Sequence, residues 1–480
     1  MTQSLRELLL RAATSFPERP AVVTDDETLT FAELRSRVRR FAAALTERGV
    51  GRGSRVAVLL PNTAWWPVVW LALAEVGAVV VPVHRQAQEA DLRHLLDDSQ
   101  AELVVALPST GVPQGVPLLE LGELPTEGID GDGDVDDVLS LQYTSGTTGL
   151  PKGCVLTQGY WTRLAEQAAG HDPGLSASDV LLTAQPFSYI DPQWNLTVGL
   201  LTGCALVVLD GFHPSTFMAK VRQHQVTVFY TLGVVPQLLL AQPSSEHDRA
   251  HQLRHVLCSG IPAAMHAEVE RRFGVPWYEL YGSTEIGGAA LAVSFADHPS
   301  AVGTGWLGSP ATGFEVRVEP TGELLVRSPN PMLGYWTGDG TWQDPRVDGW
   351  FATGDLVADL GDGRLAFAGR AGDRIRRAGE NISALEVESV LESLPAVRLA
   401  AVVPEPDPLR GQEVHAVLET DGPVDVRDLL EQVSAKLARF KVPRFWTFVE
   451  LPRTVSGKVA KAELSELHAP RYDATAGAWS

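Results

Sequence analysis

The chain is poor in cysteine and in positive charge. Its 480 residues include 3 cysteines, Cys154, Cys204 and Cys258. They stand in separate apolar contexts without metal-ligand spacing, which excludes a thiolate metal centre or disulfide framework and predicts buried thiols in a reducing compartment. Lys and Arg number 39 against 59 Asp and Glu, a formal net charge of −20. Such a field repels polyanions, so non-specific nucleic-acid binding is excluded and any nucleotide must be held by local donors and a metal. Elsewhere that charge serves solubility. No signal peptide is read in Met1-Thr2-Gln3-Ser4-Leu5-Arg6-Glu7, and Leu5 to Ala13 predicts an amphipathic helix. Long uninterrupted apolar runs are missing too. The stretch Ala64 to Val83 is broken by Pro67, Glu75 and Gly77 and ends in Val79-Val80-Val81-Pro82-Val83, so a helix and then a buried strand are expected, with no membrane span. The expected location is the cytoplasm.

What is present is an apolar content of 45%, enough for a globular protein. The length exceeds one core, so at least two domains are expected. Short β-branched runs (Ala21-Val22-Val23, Val56 to Leu60, Val79 to Val83, Leu103-Val104-Val105) alternate with helical patterns such as Phe31 to Arg48. The rhythm recurs at Ala205 to Leu209, Val226 to Tyr230 and His255 to Cys258. Strand–helix–strand alternation implies parallel sheets covered by helices. From Phe314 to Val326 the pattern becomes a hairpin turning at Pro320-Thr321-Gly322, a small β subdomain. After Gly369 a new pattern begins: helix 384–394, strands 397–403 and 413–418, helix 426–438. The fold class is therefore α/β, with a large N-terminal domain over 1–369 and a small, compact α+β domain over 373–480, the boundary falling at 370–372. No fixed-period repeat is present. Asp130-Gly131-Asp132-Gly133-Asp134 is a surface turn, since the ligand spacing and terminal glutamate of a calcium loop are missing.

The densest chemistry lies in Tyr143-Thr144-Ser145-Gly146-Thr147-Thr148-Gly149-Leu150-Pro151-Lys152-Gly153, between the apolar Val138-Leu139-Ser140-Leu141 and Cys154-Val155-Leu156. Glycines let the backbone aim N–H groups inward, hydroxyls add neutral donors, and Lys152 adds a point charge; such a loop can wrap a polyphosphate. It is not the common mononucleotide loop, which needs Gly-Lys adjacent and followed by Ser or Thr.

This segment resembles the phosphate loop of the acyl-adenylate-forming superfamily, and further segments follow in that family's order over nearly the whole chain. Tyr281-Gly282-Ser283-Thr284-Glu285 resembles the adenine- and magnesium-binding segment. Trp350-Phe351-Ala352-Thr353-Gly354-Asp355-Leu356 resembles the ribose-binding segment. Gly369-Arg370 through Gly379-Glu380-Asn381-Ile382 resembles the hinge and its following loop, and Pro452 to Lys458 the catalytic-lysine loop. The resemblance implies ATP-dependent activation of a carboxylic acid to an acyl adenylate, then thioester formation with coenzyme A. The alternative is a stand-alone enzyme loading an acyl carrier protein. ATP, Mg2+ and coenzyme A are the implied cofactors, and a monomer or homodimer is expected.

By that resemblance Glu285 and Thr148 hold the metal, Thr284 reaches the α-phosphate, and Tyr281, Gly282, Ser283, Ser259 and Gly260 line the nucleotide. Thr144, Ser145, Gly146, Thr147, Gly149 and Lys152 cradle the phosphates, Asp355 accepts the ribose hydroxyls with Arg370 beside it, and Lys458 bridges acyl carboxylate and α-phosphate. Arg377, Gly379, Glu380 and Asn381 would meet coenzyme A; Arg374, Arg376 and Arg377 are equally readable as solvated charges. The hinge position often held by Asp or Lys is Gly372 here. Tyr189, Asp191, Trp194, Gly233, Ile261 and Gly287 would line the acid pocket, where Ser188 or Tyr189 replaces a histidine found in many relatives. Residues 186–194 look similar to carnitine- or crotonobetaine-CoA ligases and to medium- or long-chain synthetases, and the small residues around the pocket leave room for a bulky acid. Asp191-Pro192 reads either as a substrate contact or as an N-cap followed by a helix-starting proline.

Overall fold

The computed structural model describes residues 2–87, 89–108, 117–122, 124–144, 151–377, 380–453, 459–466 and 469–479. The chain divides into two compact units. The first comprises Met1–Val316, Val326–Phe351 and Gly361–Arg364; the second comprises Arg317–Leu325, Ala352–Leu360 and Leu365–Ser480.

Within the first unit, the described residues form two large sheets. In one, Pro20–Val23, Ala205–Val208, Val180–Thr183, Val228–Leu232, His255–Ser259 and Trp277–Ser283 are neighbouring parallel strands, with registers such as Leu181↔Leu206, Val228↔His255 and Val256↔Trp277. In the other, Leu103–Ala106, Arg55–Leu59, Val79–Pro82 and Val138–Thr144 follow one another, with Val56 paired to both Leu103 and Val80. The β-branched runs are buried because helices cover them, and the α/β expectation is borne out. Each sheet also carries antiparallel hairpins, among them Val138–Thr144 with Lys152–Thr157 and Trp277–Ser283 with Gly288–Ala292. In the sequence, the segments linking these strand pairs carry the two motifs richest in chemistry.

Helices start where side chains can satisfy free amides. Ser4 with Glu7 and Thr30 with Glu33 form capping boxes on Leu5–Ser15 and Phe31–Glu47. Helix Trp65–Glu75 is apolar on almost every face because it is buried, with Trp66 stacked on Phe187 at 5.2 Å and Trp70 edge-on to Trp161 at 5.3 Å. Among the described residues no helix is long and apolar enough to cross a membrane. All three cysteines are buried and free. The strand expected from Val226 begins at Val228: Gln225 turns the chain at φ 51 and the Val226 amide closes the preceding helix on the Val221 carbonyl at 3.0 Å.

In the second unit, Val397–Asp407 and Gly411–Thr420 form a long antiparallel ladder, and Phe445–Phe448 runs parallel to the latter. The first strand extends four residues beyond 403 despite Pro404 and Pro406, because it pairs on one side alone and a missing edge N–H breaks no ladder. Helices Ala384–Glu392 and Val426–Ser434 cover this sheet, burying Val387, Leu391, Leu429 and Val433 around Trp446. Phe351–Asp359 and Leu365–Arg370 pair in a smaller sheet with the hairpin that turns at Gly322.

Candidate active site

Thr144 pairs with Lys152 across the first hairpin, so these residues are the two feet of the connection between them. Ser145, Gly146, Thr147, Thr148 and Gly149 lie outside the described residues, as do Gly379 and Lys458. One foot is anchored from below. The Tyr143 hydroxyl donates to Asp98 at 2.5 Å, and the Asp98 carbonyl accepts the Trp336 indole N–H at 2.8 Å.

The second hairpin supplies the acid. Thr284 to Gly287 form its turn, so Glu285 stands between two strands and not at a helix start. Gly287 has φ +64, and a Cβ there would lie 1.7 Å from the Asn330 carbonyl, so only glycine fits. The buried Tyr160 hydroxyl donates to the Thr284 carbonyl at 2.8 Å, and the Asn330 amide donates to the Tyr160 carbonyl at 2.9 Å. Held this way, Glu285 Oε1 accepts from the Tyr335 hydroxyl at 3.1 Å and from Thr144 Oγ1 at 3.5 Å. The Tyr335 ring also lies 5.1 Å from Lys152 Nζ, within cation–π range. Burial and the Glu285 charge push the Tyr335 phenol well up, so it stays a donor. Among the described residues neither Lys152 nor Glu285 has an ion-pair partner. A cation and an anion thus share one phenol without pairing with each other.

Beside this cluster, the Gly233 amide donates to the Ser259 carbonyl at 2.9 Å, and a Cβ on Gly233 would lie 1.9 Å from the Gly260 carbonyl. From behind, Glu279 accepts the Gly260 and Ile261 amides at 2.6 and 2.7 Å. Burial pushes Glu279 up to about 7 against the pull of those two bonds. The Tyr230 hydroxyl donates to Ser259 Oγ at 2.9 Å, and its ring meets Trp194 edge-on at 5.5 Å. Tyr189 faces His84, ring centroids 5.8 Å apart. Tyr281 is half-buried near the strand end, followed by the exposed Gly282 and Ser283.

The N-cap reading of Asp191 is corrected. The cap of helix Ile190–Thr202 is Tyr189, so Asp191 and Pro192 lie inside the first turn. The Asp191 carboxylate instead accepts the Trp194 indole N–H at 3.4 Å, an i to i+3 contact on one helix face.

In the second unit, Asp355 and Arg370 face each other across their strands with Arg370 Nε 2.6 Å from Asp355 Oδ1. Thr353 accepts the Asp355 amide at 3.0 Å. Arg377 is engaged internally: it lies 2.5 Å from the fully buried Glu413 and donates to the Phe440 carbonyl at 2.7 Å. Glu413 also holds Arg410 at 2.5 Å. Arg374 donates to the Thr321 carbonyl at 2.9 Å. Glu380 is exposed on the strand that also holds Asn381.

One other group, His266, Glu270 and His298, brings potential metal-ligand atoms within 4.8 Å of one another. Its bonds close on themselves. His266 Nε2 donates to the Trp277 carbonyl at 2.9 Å, its Nδ1 accepts the Gly303 amide at 3.4 Å, and His298 Nε2 lies 2.6 Å from Glu270. Burial pushes Glu270 up, but the bonds from His266 and His298 outweigh it and hold the acid down at about 2. A metal on Nε2 would put a proton on Nδ1, facing the Gly303 N–H. The group is a proton-bridged clamp.

Sequence reading missed Tyr335 and Tyr160. Neither stands in a motif, Tyr160 lying between Gly159 and Trp161 and Tyr335 between Gly334 and Trp336, so no sequence signal marks them.

Residues 9–336 match the model of the AMP-binding enzyme family, and residues 386–458 that of the AMP-binding enzyme C-terminal domain. Feruloyl-CoA synthase from Amycolatopsis sp is 33% identical over 488 aligned residues, covering 96% of this chain and 98% of the relative. 2-Succinylbenzoate–CoA ligase from Bacillus cereus is 30% identical, covering 97% and 99%. The solved o-succinylbenzoate CoA synthetase from Bacillus subtilis, in complex with its acyl-adenylate intermediate, superposes with a TM-score of 0.86 at 27% identity, covering 96% of this chain and 98% of that one. With the family's model matched over residues 9–336 and relatives matched from end to end, the chain belongs to the AMP-binding enzyme family.

Proposed function

We propose that this chain is a coenzyme A ligase for an aromatic carboxylic acid, with Glu285, Thr144, Lys152 and Tyr335 forming its phosphate and metal station. The reaction class is that of an ATP-dependent acid:CoA ligase. The acid carboxylate attacks the α-phosphorus of ATP, pyrophosphate leaves, and the coenzyme A thiol then displaces AMP from the acyl adenylate. Joining two anions makes charge neutralisation and positioning the main source of acceleration. The donor set of one carboxylate with the neutral hydroxyls of Thr144 and Tyr335 fits a hard cation, and magnesium would supply charge neutralisation at the phosphates. Thr148 would be a further oxygen ligand.

In this reading Lys152 draws the phosphates to the hairpin, Thr284 donates to the α-phosphate, and Tyr281 with Ser259 and Gly260 lines the adenine. Asp355 accepts the ribose hydroxyls, and Lys458 brings its ammonium between carboxylate and α-phosphate. Coenzyme A meets the Gly379-Glu380-Asn381 segment after rotation about 370–372. The observation that carries the phosphate and metal roles is the convergence of Thr144 and Lys152, on one hairpin, with Glu285 and Tyr335 from far along the chain. For the acid, the relatives are named for feruloyl and 2-succinylbenzoate substrates, and here Trp194 and Tyr230 offer aromatic surfaces beside Ser259, which Gly233 also contacts, with Tyr189 against His84. This favours a ring over the carnitine-type or fatty acids suggested by residues 186–194 alone.

The test is pyrophosphate release over a panel of cinnamic, benzoic and arylacetic acids, medium-chain fatty acids and trimethylammonium acids, with hydroxylamine, coenzyme A or a carrier protein as acceptor. Fastest release with an aromatic acid, and a thioester with coenzyme A, are expected. Preference for a fatty acid overturns the substrate class. Hydroxamate without a coenzyme A thioester assigns the chain to carrier loading.

A further inference from the structure

We infer that Lys461 is a positioning residue for adenylation, tying the chain that follows the catalytic-lysine segment to the hinge. This rests on the reading of Lys458 given above. Residues 454–458 lie outside the described residues, and the observations concern their flanks and partners. Arg453 and Val459 form an isolated antiparallel bridge, and the Ala460 amide donates to the Pro452 carbonyl at 2.8 Å. The two ends of the segment are therefore pinned to each other. Lys461 follows at once and opens the short helical turn Lys461–Glu466, whose Leu464 packs with Val403, Val417 and Leu451.

The Lys461 ammonium reaches two separate elements. It lies 3.1 Å from Asp373, which closes the single helical turn Ala371–Asp373 in the expected hinge. It lies 2.7 Å from Glu388, on helix Ala384–Glu392. Glu388 in turn accepts the Val402 amide at 2.7 Å, so the chain of bonds ends in the central sheet of this unit. Exposed lysine bridges contribute little, but this side chain is only 26% exposed and its Glu388 partner 11%. Burial works against the ammonium, and the two carboxylates outweigh it, so the charge persists at neutral pH. The arrangement lets one cation fix the distance between the first residue after the pivot and the start of the turn behind Lys458. A displacement of about 1 Å at a reacting group costs up to about 100-fold in rate, so such a tie bears on the half-reaction that uses Lys458 and not on the other.

The test compares Lys461→Met, Lys461→Arg, Asp373→Asn and Lys458→Ala in the full-length enzyme. Adenylation is read as acid-dependent hydroxamate formation, and transfer as thioester formation from a supplied acyl adenylate. Lys461→Met is expected to slow adenylation by about 10- to 100-fold with transfer within about twofold, Lys461→Arg to restore most of the rate, and Asp373→Asn to fall between them. Unchanged adenylation in Lys461→Met, while Lys458→Ala is impaired, overturns this inference alone. Intact adenylation in Lys458→Ala removes the reading beneath it and the inference together. An equal fall in both half-reactions, accompanied by a lower Tm in Lys461→Met and in Asp373→Asn, makes the contact purely structural and also overturns it.

Discussion

Two charge clusters, one in each unit, are managed in opposite ways. In the second unit the charges compensate one another: the fully buried Glu413 lies within ion-pair distance of Arg377, Arg410 and Arg444, and Glu419 holds Arg398 at 2.9 Å and Arg453 at 3.5 Å. In the first unit, Glu285 and Lys152 meet neutral hydroxyls and an aromatic face, and among the described residues no ion pair quenches either. Burying a mutually satisfied charge cluster fixes a fold, whereas a cation and an anion left open can meet a polyanion and its metal, the role proposed above for Lys152 and Glu285. Residue type alone therefore does not separate binding charges from structural ones. Arg377 and Lys152 look equally suited to phosphate in the sequence, but only Lys152 is left unpaired among the described residues.

Removing charge from each cluster in turn should break this contrast if it is wrong. Glu413→Ala strands Arg377 beside a vacated partner and is expected to cost about 3–5 kcal/mol of stability in the second unit, read by chemical denaturation. A loss below 1 kcal/mol would show that water, not Glu413, compensates those arginines. Glu285→Ala is expected to slow acid-dependent pyrophosphate release on the order of 10² to 10³ while leaving the denaturation curve nearly unchanged. Unaltered release would put the metal elsewhere. Gly233→Ala forces a methyl against the Gly260 carbonyl and is expected to cost about 1–3 kcal/mol, seen as a raised KM for the acid. Tyr335→Phe removes one hydrogen bond to an ionised group, about tenfold in the KM for ATP. No change would reduce Tyr335 to a packing residue.

The smallest effect sharpens the contrast through pH. Burial raises Glu279 from 4.5 to about 7 in the folded chain, so between those values the native state holds a proton that the unfolded state has lost. Stability contributed below pH 4.5 is then lost as pH rises through 7. Glu279→Gln should flatten that slope, measured as denaturation midpoints from pH 5 to 8; parallel slopes would mean that Glu279 titrates normally.

Sequence reading recovered the parts of this molecule that local chemistry dictates. The β-branched runs became parallel strands, and Thr144 and Lys152, at the two ends of the Gly-, Ser- and Thr-rich segment, pair across a hairpin. Glu285, in the turn that follows Tyr281 to Ser283, comes to the same place, its carboxylate 3.5 Å from Thr144 Oγ1. What could not be read depended on the third dimension. Tyr335 and Tyr160 gain their roles only when strands distant in sequence become neighbours. Asp191 ahead of Pro192 imitates a cap, but the helix begins two residues before that proline, at Ile190. The pairing of Arg377 depends on Glu413, which lies in a strand where a charge is not expected to be buried.

The most direct test of the open-charge station is a magnesium titration of acid-dependent pyrophosphate release in wild-type, Glu285→Gln and Glu413→Gln proteins, all assayed below their unfolding temperatures. Glu285→Gln is expected to raise the magnesium needed for half-maximal rate by about tenfold or more, while Glu413→Gln keeps the wild-type requirement. Superimposable curves for Glu285→Gln and wild type would contradict it.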